Sequence, residues 1–84
     1  MPEICRISEL SIQMIFKDHD SPHLHIYRHR TMLAIILFDG TVRQGYLETD
    51  KLKKIRQWLQ NHQDELSVNW QRAKNAEKLE RIDT

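Results

Sequence analysis

The chain is poor in the residues that would give it a ready identity. It has one cysteine, Cys5, so no internal disulfide can brace it and its stability must come from its core. Two glycines and two prolines argue against a low-complexity tract or a long flexible linker. No apolar run approaches the ~18–20 residues that a membrane-spanning helix needs. No internal repeat is visible. Neither charge sign dominates: 13 Lys and Arg against 12 Asp and Glu give a formal net charge of +1. That excludes an obligate polyanion binder with a large basic excess, while leaving room for a local basic face. Met1-Pro2-Glu3 lacks the basic start, apolar stretch and small-residue cleavage site of an export signal. With a lone cysteine, this points to the cytoplasm.

What is present fits one small domain. Eighty-four residues leave no space for a second. A chain of this size buries about 60–65% of its unfolded surface. Further burial, in a homodimer or against a partner, would stabilise it.

The apolar pattern divides the chain into a strand half and a helix half. Between Glu9 and Lys17, Leu10, Ile12, Met14 and Phe16 alternate with polar residues, the period of a half-buried strand. Asp18 to Pro22 form a dense turn cluster. His23 to Arg28 alternates again, with Leu24 and Ile26 on one face and His23, His25 and Tyr27 on the other. Met32 to Phe38 is apolar on both faces and suits a central strand. Asp39-Gly40 predicts a hairpin with a type I′ turn, and Thr41 to Leu47 the return strand, with Val42 and Tyr46 sharing a face. The pattern also admits a short strand near Ile4 to Ile7.

From Thr49 the period changes. Leu52, Ile55 and Leu59, with Trp58, predict an amphipathic helix over about residues 50–61, capped by Thr49 or Asp50. Asn61-His62 reads as a break. Leu66, Trp70 and Ala73 predict a second helix over about 62–76, with Asn61 available as its cap; one kinked helix is the alternative. The tail from Lys78 is expected to be frayed or irregular. The expected architecture is α+β: an antiparallel sheet of three to five strands over about 4–47, with one or two C-terminal helices on one face.

The chemically distinctive stretch is Asp18-His19-Asp20-Ser21-Pro22-His23-Leu24-His25. Four of the five histidines lie between His19 and His29. On a strand, His23 and His25 project from one face, roughly 6.5–7 Å apart at Cα. Tyr27 continues the row, and His19 in the preceding turn could fold back toward it. Three functional readings and one structural reading follow. His23 and His25 with Asp18 or Asp20 would give a mixed nitrogen and oxygen site for zinc or a similar ion, although no CxxC or HExxH spacing supports it. His19, His23 and His25 could act as acid and base near neutral pH in a metal-independent ribonuclease. Lys17, Arg28 or Arg30 would then stabilise phosphate charge. A His-x-His-x-His nucleotide hydrolase would need a third histidine where Tyr27 stands. The structural reading is a turn: Asp18 and Asp20 bond nearby amides, Pro22 fixes the entry to the strand, and the histidines anchor it. No cofactor motif is present.

The start of the first helix is basic, with Lys51, Lys53, Lys54 and Arg56. With Arg28, Arg30 and Arg43 it could form a nucleic-acid face, the alternative being a solvated helix surface. Trp58 and Trp70 are expected in the core, and Cys5 as a small buried residue.

Three segments carry a resemblance: Met1-Pro2-x-Ile4-x-Arg6, Phe16-x-Asp18-His19-x-x-Pro22-His23-x-His25, and Trp58…His62-x-Asp64-Glu65-Leu66…Asn69-Trp70…Ala73. Together they resemble the bacterial family catalogued as domain of unknown function 4160, from Met1 to about Ile82. The Asp-His-x-x-Pro-His-x-His segment is its most specific part. The chain departs from the usual pattern at Ser21, where the family commonly has a first proline, and at Leu24, where an aromatic is frequent. Neither change removes a candidate ligand or catalyst. The resemblance implies a small cytoplasmic protein encoded beside another small protein, in an arrangement like a toxin–antitoxin pair. It implies a protein partner, with RNA or DNA as a further target. It also raises the weight of a functional histidine segment, with Asp18, Tyr27, Arg28, Arg30 and Lys54 as candidate binding residues.

Overall fold

In the computed structural model, residues 3–16 and 21–82 are described. Five strands precede two helices: β1 (Glu3–Ile7), β2 (Leu10–Gln13), β3 (His23–Arg28), β4 (Thr31–Leu37), β5 (Val42–Gly45), α1 (Thr49–Asn61) and α2 (Gln63–Lys74). Every adjacent pair of strands is antiparallel and the sheet order is β1-β2-β3-β4-β5, an up-and-down meander. This is the α+β architecture expected from the change of apolar period.

Local chemistry sets the hairpins. Two-residue loops join β1 to β2 and β3 to β4, and the first residue of each, Ser8 and His29, lies in the left-handed region at φ 55°. Positive φ at a tight hairpin matches the right-handed twist of the flanking strands. The β4–β5 turn differs from the expected type I′ form. Gly40 N–H donates to Leu37 O, Leu37 N–H donates to Thr41 O, and only Gly40, at φ +94°, is left-handed. This is a three-residue loop: a type I turn closed by a glycine bulge. The Asp39 carboxylate accepts from Thr41 N–H and fixes it.

Leu10, Ile12, Leu24, Ile26, Ala34 and Ile36 cover one sheet face. They form a single core with Ile55, Trp58 and Leu59 of α1 and Leu66 and Trp70 of α2. Both tryptophans and Cys5 are buried, as expected. The ladder of β2 ends at Gln13, earlier than the alternation suggested, although Met14 stays in the core and Phe16 packs on Trp70. In β5 a bulge pairs Ile35 with Gln44 and Ile36 with Val42, leaving Arg43 as the extra residue. The bulge breaks the alternation that would have put Val42 and Tyr46 on one face: Val42 packs on the core, while Tyr46 is 74% exposed.

The helix ends also correct the expected caps. Glu48, not Thr49 or Asp50, is the N-cap of α1, and it makes no side-chain cap bond. His62 separates two distinct helices and takes the capping position expected of Asn61. The tail is irregular but not frayed. Asn69 Nδ2 donates to Glu80 O (2.8 Å) and Asn69 Oδ1 accepts from Glu80 N–H (3.0 Å). Ile82 is buried, and its N–H donates to Ile4 O on β1 (2.7 Å).

Candidate functional site

β3 is the middle strand of five, and its alternation carries the histidines. Leu24 and Ile26 point into the core, so His23, His25 and Tyr27 stand on the opposite face. The two imidazoles meet at 5.2 Å between centroids, tilted by 42°. His23 is completely buried and His25 is 8% exposed. Both are therefore part of the molecule's interior. His23 Nδ1 lies 2.7 Å from Ser21 O; a carbonyl only accepts, so Nδ1–H is the donor. Nε2 is buried and has no hydrogen-bond partner among the described residues. The Trp70 ring meets His23 edge-on at 5.5 Å and also packs on Phe16 and Phe38, closing this end of the sheet.

A polar row continues from the histidines across β2 to β1. His25 pairs with Gln13, Gln13 Nε2 donates to Ser11 Oγ, and Ser11 Oγ donates to Glu3 Oε2. Glu3 also takes Arg6 and Arg81. These hydrogen bonds hold its carboxyl below the usual carboxylate range, the Ser11 bond being the largest cause and the Arg81 bond the next. Gln13 Oε1 is buried without a partner among the described residues. Neither Glu3 nor Gln13 stands out in the sequence, because their connection to the histidines exists only through the register of β1, β2 and β3.

The other candidate residues gather at the far end of the sheet. His23 and Arg28 are separated by about 16 Å of strand. Arg28 is on the helix side of β3 and pairs with Glu9 (2.9 Å) and Glu48 (3.6 Å), while Lys51 lies 3.9 Å from Glu9. Its charge is therefore compensated within the fold. Arg30 is exposed in the β3–β4 loop, and Tyr27 is half-buried opposite Ser11. Lys54 is exposed on α1 and lines a pocket of about 240 Å³ with Ile7, Gln57, Trp58, Asn61 and His62. The histidine pair and these cations are two separate places. Asp18 and His19 lie outside the described residues, as do Lys17 and Asp20. Among the described residues, no three His, Cys, Asp or Glu side chains converge as a metal site would require.

The sheet edges differ. At β1, Ile4 O accepts from Ile82 N–H and Glu3 pairs with Arg81, so the tail covers that edge. Among the described residues, β5 pairs with β4 alone. Its residues Arg43, Gln44 and Gly45 are exposed, and Tyr46 follows as the most exposed large apolar side chain among the described residues. Strand edges like this one are templates for another strand. The sequence shows the strand but not its place at the edge.

A family model described as domain of unknown function (DUF4160) matches residues 10–71. That span holds β2 to β5, α1 and most of α2, including both histidines on β3. No curated protein and no solved structure matches the chain. No helix among the described residues is long and apolar enough to cross a membrane.

Proposed function

The chain belongs to the DUF4160 family, and from that premise we propose that it is the interaction component of a two-protein, toxin–antitoxin-like module in the cytoplasm. It takes an extended segment of a small partner protein onto the open edge of β5. The observation that carries this reading is the contrast between the edges: the fold covers β1 with its own tail and leaves β5, with Tyr46 beside it, facing solvent. Strand addition supplies affinity through backbone hydrogen bonds and specificity through side chains such as Tyr46. Nucleic acid is a second target of the pair.

Co-expression with the neighbouring small protein tests it. The native pair is expected to elute together in gel filtration. A Tyr46→Ala/Gln44→Lys variant, which blunts the edge with a charge, is expected to elute apart from the partner with its circular dichroism unchanged. Separate elution of the native proteins sinks the reading.

A second reading is favoured by the 5.2 Å approach of the His23 and His25 rings: histidine-dependent cleavage of RNA. Because His23 is fully buried, substrate would have to open this end of the sheet. This reading requires His23→Ala and His25→Ala to abolish RNA cleavage or growth arrest while the fold survives. Full activity in both variants removes it.

A further inference from the structure

Two acceptors at the buried end of the sheet lack a donor. His23 donates from Nδ1 to Ser21 O, so the atom it offers to its surroundings is Nε2. That atom is buried and has no hydrogen-bond partner among the described residues. Gln13 is oriented in the same way. Its Nε2 donates to Ser11 Oγ, which donates in turn to Glu3, so the free end of its amide is Oε1. Oε1 is also buried without a partner among the described residues. His25 joins the two: it shares a face of β3 with His23 and is paired with Gln13 across β2. Orphaned buried acceptors are rare in folded proteins and call for a donor, a water or a cation.

Two observations favour a cation. The first is the spacing of the rings. Zinc holds an imidazole nitrogen at ~2.0–2.1 Å, and tetrahedral bond angles then set two ligating rings roughly 5 Å apart at their centroids. The His23 and His25 centroids are 5.2 Å apart, with the rings tilted by 42°. The second is the outer partner. A metal-ligating imidazole donates its other N–H to a carbonyl, a carboxylate or a water, which fixes the ring. His23 Nδ1 does this to Ser21 O at 2.7 Å. Ser11 and Glu3 hold the Gln13 amide in a comparable way. The rings of Phe16, Phe38 and Trp70 form an apolar wall beside His23, as the shell of a metal site does.

We infer that His23 Nε2, a ring nitrogen of His25 and Gln13 Oε1 bind one transition-metal ion of the zinc class. Three His, Cys, Asp or Glu side chains do not meet here among the described residues. The third protein ligand is instead an amide oxygen, which completes the three that an open zinc site keeps, with water in the fourth position. Two imidazole nitrogens select zinc, copper or nickel over magnesium or calcium, whose ligands are oxygens. The ion ties β2 to β3 at Gln13, where the ladder of β2 ends. Imidazoles bound to a metal carry no proton to a substrate, so this site and acid–base cleavage of RNA by the same histidines exclude each other.

The test uses the full chain without a histidine tag, stripped with a chelator and titrated with cobalt(II) and then zinc. One equivalent of cobalt is expected to give the intense visible absorption of tetrahedral coordination, to raise Tm and to quench Trp70, whose ring lies 5.5 Å from His23. Zinc is expected to displace it. His25→Gln is expected to weaken binding by more than the ~10–100-fold that loss of an outer partner costs. Gln13→Glu puts a carboxylate where the amide stands, the His₂Glu set of open zinc sites, and is expected to tighten it. His62→Gln is the control, because His62 packs on the other tryptophan, Trp58, at 5.4 Å, and it is expected to change nothing. Circular dichroism follows the folding of each variant; if His25→Gln unfolds, Gln13→Glu decides. A native chain without a saturable tetrahedral equivalent overturns the site. So does full binding in a folded His25→Gln, an affinity unchanged by Gln13→Glu, or loss of the signal in His62→Gln. Association with a protein at β5 is read separately and survives either result.

Discussion

Asn69 shows how much one side chain can hold. It is buried in α2, and both ends of its amide bond the backbone of Glu80, as a neighbouring strand would. Asn69→Ala removes both hydrogen bonds that tie the Glu80 backbone to α2 and frees the tail. A loss of about 1–3 kcal/mol is expected, from two hydrogen bonds; urea unfolding measures it. Glu3 gives a prediction in pH. Its carboxyl is held low in the folded state, first by the Ser11 hydrogen bond and then by Arg81, while burial opposes them. A depressed folded value means that the stabilisation is complete above the unfolded value and disappears as pH falls through the folded one. Glu3→Gln is therefore expected to be less stable than the native chain near pH 7. The gap should close as the pH falls below about 4, where an ordinary carboxylate protonates. Urea midpoints of both proteins across that range decide it; a constant gap would remove Glu3 from the acid transition.

At the scale of elements, Gly40 lies in the turn before β5 and Gly45 is the last residue of that strand, and the two are not equivalent. A Cβ on Gly45 would lie 2.1 Å from Leu33 O, with φ at +84°, and backbone cannot yield there. A Cβ on Gly40 would meet the Arg56 side chain at 3.2 Å, which can move. Gly45→Ala is expected to cost at least about 2 kcal/mol and to displace β5. Gly40→Ala should cost about 1 kcal/mol, the left-handed backbone penalty alone. Thermal melts of the two variants should rank in that order. Which parts of this were legible in the sequence follows from the range of the forces involved. Period two in β3 and the three-and-four spacing of Leu52, Ile55 and Leu59 are local, so the strands, the helices and the shared face of His23 and His25 could all be read. The bulge at Arg43, the burial of His23 and the compensation of Arg28 by Glu9 and Glu48 depend on register and on distant partners. No local pattern carries them. The break at Asn61-His62 was legible, but the 2.7 Å approach of His62 Nδ1 to Glu65 Oε1 is visible only in three dimensions.

For the whole molecule, the unequal sheet edges link stability to association. A five-stranded meander has two edges, and an uncovered one invites other chains. The tail resolves this at β1 through Ile82, which fills a core position and donates its N–H to Ile4 O. Because Asn69 holds Glu80 from α2, the helix layer and the edge of the sheet are fastened by one segment. Ile82→Asp replaces a buried apolar side chain with a charge that has to reach water, and so should detach the tail. The burial lost is about 1.5–3 kcal/mol, which for a domain of this size lowers Tm by roughly 6–24 °C. Detachment also exposes the β1 edge, so the variant should show more concentration-dependent self-association than the native chain. Adding Tyr46→Ala discriminates between edges. If association of the Ile82→Asp variant persists with Tyr46→Ala, it runs through β1, as the covered-edge argument requires. If Tyr46→Ala abolishes it, β5 is the adhesive edge, and the tail serves to fix the fold rather than to guard it.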